Sequence, residues 1–240
     1  MFIRSLKRKS TPRFPDFGRP VQNSFLTYAY YSEQDYSANE FLIKTAIEAI
    51  RHASTNSIIY IGKSEISKVL NLFPGEHYRL LRAFSSVLKS QLAIEVGTYQ
   101  GYGSLAMLTP FTTSKVVTYD IYKYPFESLS VDFSDLGGRI DTRVVDLISE
   151  SDFISQTETL SACDFMFVDG PKDGIFEYQL LSRLASASYF RPKILVLDDI
   201  KFINMIPLWR SIQNPKLDLT SFGHWSGTGL IDVRDGLKLF

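Results

Sequence analysis

The chain has 240 residues, 45% hydrophobic and 22% charged, and its 26 basic side chains balance 26 acidic ones. Such a chain is long enough to bury a core without staples, and zero net charge gives no global reason to expect nucleic acid or an acidic membrane as partner. A single cysteine, Cys163, excludes an internal disulfide and fits the reducing cytoplasm, and no apolar run approaches the roughly 18 residues that span a bilayer.

Residues 1–35 read as a basic, flexible arm. Within residues 1–19, Arg4, Lys7, Arg8, Lys9, Arg13 and Arg19 stand against the lone acid Asp16, and Pro12 and Pro15 break helices. A fraying, solvated terminus and an arm for an anionic partner both fit, and the apolar segment is too short for a signal peptide. Residues 36–240 are expected to form one domain, a helical cap over 36–90 and an α/β core over 91–240. In the cap, 38–52 reads as an amphipathic helix capped by Ser37, with Phe41, Ala46, Ala49 and Ile50 on one face. A second helix is expected over 76–89, after the punctuation of "FPGE", through Tyr78, Leu81, Phe84 and Leu88. The stretch between them, with "SIIYIG", is ambiguous. Tyr28, Tyr30 and Tyr31 are candidates for an acceptor lid or an interface, and the 14% aromatic content points to a homodimer.

From residue 91 apolar runs alternate with helical patterns. The runs cover 92–97, 115–121, 141–146, 164–170 and 193–200, and the helices 102–109, 174–188 and 203–213. Continuous hydrophobicity along a strand means both faces are covered, as in a parallel sheet of βαβ units. "LDLTSFG" and "GLIDVR" then flank "HWSGT", which predicts a hairpin. The expectation is an α/β protein: a doubly wound, mostly parallel seven-stranded sheet with a C-terminal antiparallel hairpin and N-terminal helices.

In such a sheet ligands bind beyond the carboxyl ends of the strands. Those ends carry Glu95, Asp120, Asp146, Asp169 and the pair Asp198-Asp199. Helix capping explains any one of these acids, but the whole set less easily. The first strand runs into "EVGTYQGYGS", with glycines at 97, 101 and 103. Gly97 can make a sharp exit at positive φ, and Gly101 and Gly103 would let the backbone approach a ligand. The spacing departs from the G-x-G-x-x-G of dinucleotide sites. Tyr99 and Tyr102 suit an adenosine or a sulfonium better than two phosphates. Asp120, at the next strand end, can accept two hydrogen bonds from a ribose diol. A plain strand-to-helix turn is the competing reading.

Asp169, Asp198 and Asp199 end neighbouring strands, which lie about 4.8 Å apart. Three converging carboxylates repel unless a cation sits among them. Oxygen ligands select a hard cation, Mg²⁺ first, with Ca²⁺ or Mn²⁺ as alternatives. Capping and turn chemistry is again the rival.

"AIEVGTYQGYGSLAML" resembles the first motif of class I S-adenosylmethionine-dependent methyltransferases, and most nearly the catechol O-methyltransferase type with its E-x-G-x-Y-x-G-Y loop. The resemblance runs from about residue 75 to the C-terminus. It implies a Rossmann-like methyltransferase fold binding S-adenosyl-L-methionine. It implies that Glu95, Gly97, Thr98, Tyr99, Gly101 and Tyr102 surround the methionine part and that Asp120 and Ile121 hold the ribose side. Asp146 would lie near the adenine, and Asp169 would border the cofactor as well as the metal. Gly103 stands where the family often has a serine for the cofactor carboxylate, and Ser104 is the neighbouring substitute. The family carries Asp and then Asp-Asn at the metal. Asp198-Asp199 instead resembles the metal-dependent sugar (macrocin-type) O-methyltransferases. The sugar enzymes' Asp two residues past the metal Asp is Pro171 here, so the base that the resemblance implies is Lys172. A metal-bound hydroxyl loses its proton readily, and a lysine beside a cation has its pKa lowered.

The function implied is divalent-metal-dependent O-methylation of a small hydroxylated, catechol-like or sugar-like molecule. Metal-independent N- or O-methylation and a non-catalytic cofactor-fold domain remain open, whereas no hydride-transfer set supports an oxidoreductase. Among lesser candidates, His224 and Trp225 border the acceptor pocket and Trp225 is expected to pack. His77 and His52 read as surface or core residues, and Phe176 and Tyr178 as packing for the following helix.

Overall fold

A computed structural model describes residues 38–60, 64–108, 115–122, 131 and 136–240. The basic arm, Ser37 and the tyrosines at 28, 30 and 31 lie outside the described residues. Helix α1 (Glu40–Thr55) begins at Asn39, whose side chain accepts from the Leu42 amide. That cap satisfies an N–H the helix itself cannot. The Asn39 amide group also donates to Asp232 Oδ2 at 2.7 Å, which pins the helix start to the last strand. Leu42, Ala46, Ala49 and Ala53 recur at helical spacing and are buried. They face α3 (Tyr78–Val87), while the ambiguous stretch between is partly helix α2 (Ser64–Leu70).

The core alternates as the pattern predicts: β1 (Leu92–Val96), α4 (Tyr102–Met107), β2 (Lys115–Asp120), β3 (Ile140–Val144), α5 (Glu150–Ser155), α6 (Thr157–Ser161), β4 (Phe165–Val168), α7 (Ile175–Ser186), β5 (Ile194–Asp198), α8 (Ile206–Ser211), β6 (Lys216–Asp218) and β7 (Thr228–Asp232). The sheet has seven strands in the order β3-β2-β1-β4-β5-β7-β6. The first five are parallel, and β7 runs antiparallel between β5 and β6. This is a Rossmann-like sheet closed by an antiparallel pair. The strand order switches between β1 and β4, where a crevice opens at the strand ends.

Side chains along β4 alternate between the two faces. Phe165 and Phe167 join the core under α1 and α3, whereas Met166 and Val168 join the core with Leu181 and Trp209. All of β4 and β5 is buried, so their runs are continuous. Strand β3 alternates buried and accessible, because an edge strand has solvent on one side. Burying each large side chain contributes about 1.5–3 kcal/mol. Three expectations shift. Helices 102–109 and 203–213 are shorter, α5 and α6 carry no strong signal, and β6 stops at Asp218. There the Asp218 carboxylate accepts from the Thr220 amide and turns the chain. Among the described residues no helix is long and apolar enough to cross a membrane.

Candidate functional site

A cavity of about 410 Å³ lies over the carboxyl ends of β1, β2 and β4. Gly97, Tyr99 and Asp120 line one end, Asp169 and Lys172 the other, and Ile121, Val145 and Leu147 supply an apolar wall. Phe176, expected to pack a helix, also lines it, while Tyr178 is largely exposed.

The glycine turn is built by close approach. Gly97 has φ 102°, and a Cβ there would run into the Asp169 carbonyl oxygen. Only glycine lets the end of β1 pass so close to the end of β4. Asp120 fixes the turn from β2: one carboxylate oxygen accepts from the Thr98 amide at 3.0 Å and the Tyr99 amide at 3.3 Å. Its other oxygen accepts from the Tyr122 amide at 3.2 Å. Asp120 therefore shapes the loop and still faces the cavity.

Beneath the turn lies a second assembly that the pattern does not reveal. Glu95 is 2% exposed and points to the opposite side of β1 from the cavity-lining Val96. Its carboxylate accepts from the Ser104 hydroxyl and, at 2.8 Å, from Thr118, which is itself bonded to Thr98 at 2.7 Å. A Cβ on Gly103 would collide with this carboxylate. Gly103 makes room for Glu95 rather than for a ligand, and the Ser104 hydroxyl is already engaged in the core. Burial lifts the Glu95 carboxyl to about 8, against the pull of the two hydroxyls. Gly101, at φ 81°, starts α4, and the Tyr102 ring packs edgewise on Tyr78 with centroids 5.9 Å apart. Asp146 accepts from the Ile148 amide and caps its own turn, while its neighbours Val145 and Leu147 face the cavity.

At the other end the three acids converge. Asp169, Asp198 and Asp199 each offer an oxygen within 4.8 Å of the others. Asp198 and Asp199 are 2% and 3% exposed. Lys172 Nζ lies 2.5 Å from Asp169 Oδ1 and 3.3 Å from Asp199 Oδ2. Burial opposes the lysine's charge, but these two acids prevail and raise its pKa, so the amine is a cation in this arrangement. The lowered pKa expected of a base would require something positive to take its place. Burial, then Asp198, raises the Asp169 carboxyl to about 6, with Lys172 pulling it down.

The loop between β4 and α7 answers to turn chemistry. The Glu177 carboxylate accepts from the amides of Lys172 and Gly174, and Asp173 caps α7 through the amides of Ile175 and Phe176. Asp169 points to the crevice while Asp173 is structural.

Two histidines complete the acid end. His77 is 3% exposed and its Nδ1 lies 3.4 Å from Asp198 Oδ1. His224 Nδ1 lies 3.3 Å from both Asp198 Oδ2 and Asp199 Oδ1, and 2.8 Å from the Ser226 hydroxyl. Ser226 also donates to Asp199. Burial disfavours both imidazolium ions, yet Asp198 outweighs it for His77 and, with Asp199, lifts His224 to about 10. Burial likewise works against ionised Asp198, and the two histidines overcome it and push its pKa down. The Gly75 amide donates to the Gly223 carbonyl at 3.2 Å, which draws the two histidine-bearing segments together. No local spacing in the sequence announces that pairing. Trp225, expected to pack, is 72% exposed, and His52 is exposed on α1.

Asp169 Oδ1 and Asp198 Oδ1 are buried and receive no well-directed hydrogen bond, although Lys172 and His77 are within ion-pair reach. Carboxylate oxygens converging on one point, faced here by Lys172 and His77, are ligands that suit a hard divalent cation. The cavity lies within the 300–1,000 Å³ typical of small-molecule sites.

No protein-family model and no curated protein matches the chain. Solved structures do. A methyltransferase from Geobacter sulfurreducens is 16% identical, over 92% of this chain and 98% of its own, with a TM-score of 0.45. The O-methyltransferase TomG from Streptomyces achromogenes, solved with SAM, is 17% identical over 90% and 96%, with a TM-score of 0.42. The SAH-bound methyltransferase PaMTH1 from Podospora anserina is 16% identical over 89% and 97%, with a TM-score of 0.39. Likeness this distant leaves the activity to be argued from the site.

Proposed function

We propose that this chain is an S-adenosyl-L-methionine-dependent O-methyltransferase acting on a small hydroxylated, catechol-like or sugar-like molecule, assisted by Mg²⁺ or another divalent cation. One observation carries the reading: a single cavity joins the Asp120-braced glycine turn to Asp169 and Lys172, the members of the acid cluster that line it. When bound, the cofactor supplies an electrophilic methyl group and the cation acidifies a hydroxyl.

The chain's own part is holding and aligning. Asp120 keeps acceptor capacity for a diol beyond the amides it already binds. The apolar wall of Ile121, Val145 and Leu147 suits a flat base, and Gly97 and Tyr99 border the space between base and acids. Asp169, Asp198 and Asp199 would hold the cation. Lys172 is the proposed proton acceptor from the acceptor hydroxyl, once its carboxylate partners are otherwise engaged. Until then it is their counter-ion. Glu95, Gly103 and Ser104 act from beneath, keeping α4 against β1.

Calorimetry with S-adenosylhomocysteine, with and without Mg²⁺, tests the reading. Binding that Mg²⁺ or an acceptor strengthens supports it, and no binding of the nucleoside ends it. A second reading, methyl transfer without a metal, draws on Lys172, which already neutralises Asp169 and Asp199. Full activity in EDTA would select that reading.

A further inference from the structure

Among the described residues, the buried imidazole of His77 is the least explained group. It is 3% exposed, held between the rings of Tyr78 and Phe167 at 4.7 and 5.0 Å, and neither ring nitrogen makes a directed hydrogen bond. Buried polar atoms are nearly always matched, so an unmatched one aimed at a cluster signals a missing partner. Its Nδ1 faces Asp198, as does Nδ1 of His224, at 3.4 and 3.3 Å. Ligand atoms about 2.1 Å from one ion, set at tetrahedral or octahedral angles, lie about 3.0–3.4 Å apart. His77, Asp198 and His224 each offer an atom within 4.8 Å of the others. The second ring nitrogen of His224 lies 3.9 Å from Glu76 Oε2, beyond hydrogen-bond distance. Lys172 stands with Asp169 and Asp199, so it does not compete for the histidines.

We propose that His77, Asp198 and His224 form a mixed nitrogen and oxygen site for a borderline divalent cation of the Mn²⁺ to Zn²⁺ series, sharing Asp198 with the carboxylate trio. Two imidazoles favour such ions over Mg²⁺, which prefers an all-oxygen shell. The inference refines the cation of the function proposed above and rests on that reading only in supposing that an ion binds there.

The test uses the full chain stripped with EDTA and titrated calorimetrically with Co²⁺ and with Mg²⁺ alone. Pulsed electron paramagnetic resonance of the Cu²⁺-loaded chain reads the nitrogen ligands. Co²⁺ is expected to bind at least about tenfold tighter than Mg²⁺, with coupling to two imidazoles. His224→Gln and His77→Gln, checked for native circular dichroism, are each expected to weaken Co²⁺ by about tenfold or more and Mg²⁺ by less than about threefold. Equal affinity for the two ions, no imidazole coupling, or folded variants that bind Co²⁺ as the parent does would overturn the site. Should the histidines serve only as imidazolium partners of Asp198, the first of these results appears. S-adenosylhomocysteine binding, run on the same samples, separates the outcomes: a failed cation site with intact nucleoside binding leaves the methyltransferase reading standing, and the reverse leaves the cation site standing.

Discussion

Two buried carboxylates near the strand tips live in opposite surroundings. Glu95 is enclosed by hydroxyls that satisfy it and by a glycine that leaves it room. Asp198 faces His77, neither of whose ring nitrogens makes a directed hydrogen bond, and its own Oδ1 receives none. The first is architecture, in which a polar group is matched from within the fold. The second is a cluster whose matching is incomplete without a ligand. A buried acid is therefore informative through its partners more than through its depth.

The largest expected effect breaks this contrast at the acid end. Asp198→Asn should lower methyl transfer by about 10³-fold or more, near 4 kcal/mol in barrier terms, while S-adenosylhomocysteine affinity measured calorimetrically changes by less than about twofold. Retained activity would make the cluster scaffold, like Glu95. Next, Gly97→Ala forces a side chain against the Asp169 carbonyl at positive φ. Urea denaturation should show a loss of about 3 kcal/mol.

A subtler effect follows from the pH dependence of Glu95. Its folded pKa of about 8 lies above the ordinary 4.5, so the folded chain holds the proton more tightly. The stability from that proton is complete below about pH 4.5 and fades as pH rises through about 8. The parent should lose stability across that window relative to Glu95→Gln, read from denaturation midpoints at each pH. A parallel decline in both proteins would locate the titration at the acid end instead. Asp120→Asn keeps the shape but loses the charge, and should weaken S-adenosylhomocysteine about tenfold, near 1.4 kcal/mol. The smallest effect is expected at exposed Trp225, where alanine should change stability by less than about 0.5 kcal/mol. A selective rise in KM for the acceptor would then bring the indole into the site.

The sheet was legible because its signals are local. The continuous runs at β4 and β5 follow from burial on both faces, and the hairpin from two short runs flanking "HWSGT". Strand-end acids were legible for the same reason, since the fold rule points every strand tip at the crevice. Their division of labour was not. Nothing in "EVGTYQGYGS" or in the run ending at Asp120 tells that Glu95 turns away and Asp120 faces in, because that depends on which face of its own strand each residue takes. Gly103 read as ligand clearance, yet its neighbour is Glu95. His77 and His224 were read as minor residues, and they meet Asp198 only through a tertiary contact between segments far apart in sequence.

That contact, the Gly75 amide on the Gly223 carbonyl, also sets when the acid end can come into being. One segment precedes every strand of the sheet and the other arrives with the last hairpin. Loop-closure entropy delays such distant pairings. Cation capture by the two imidazoles would thus be the final event of folding, and a spectroscopic signal from a bound ion would report a finished chain rather than a half-built one.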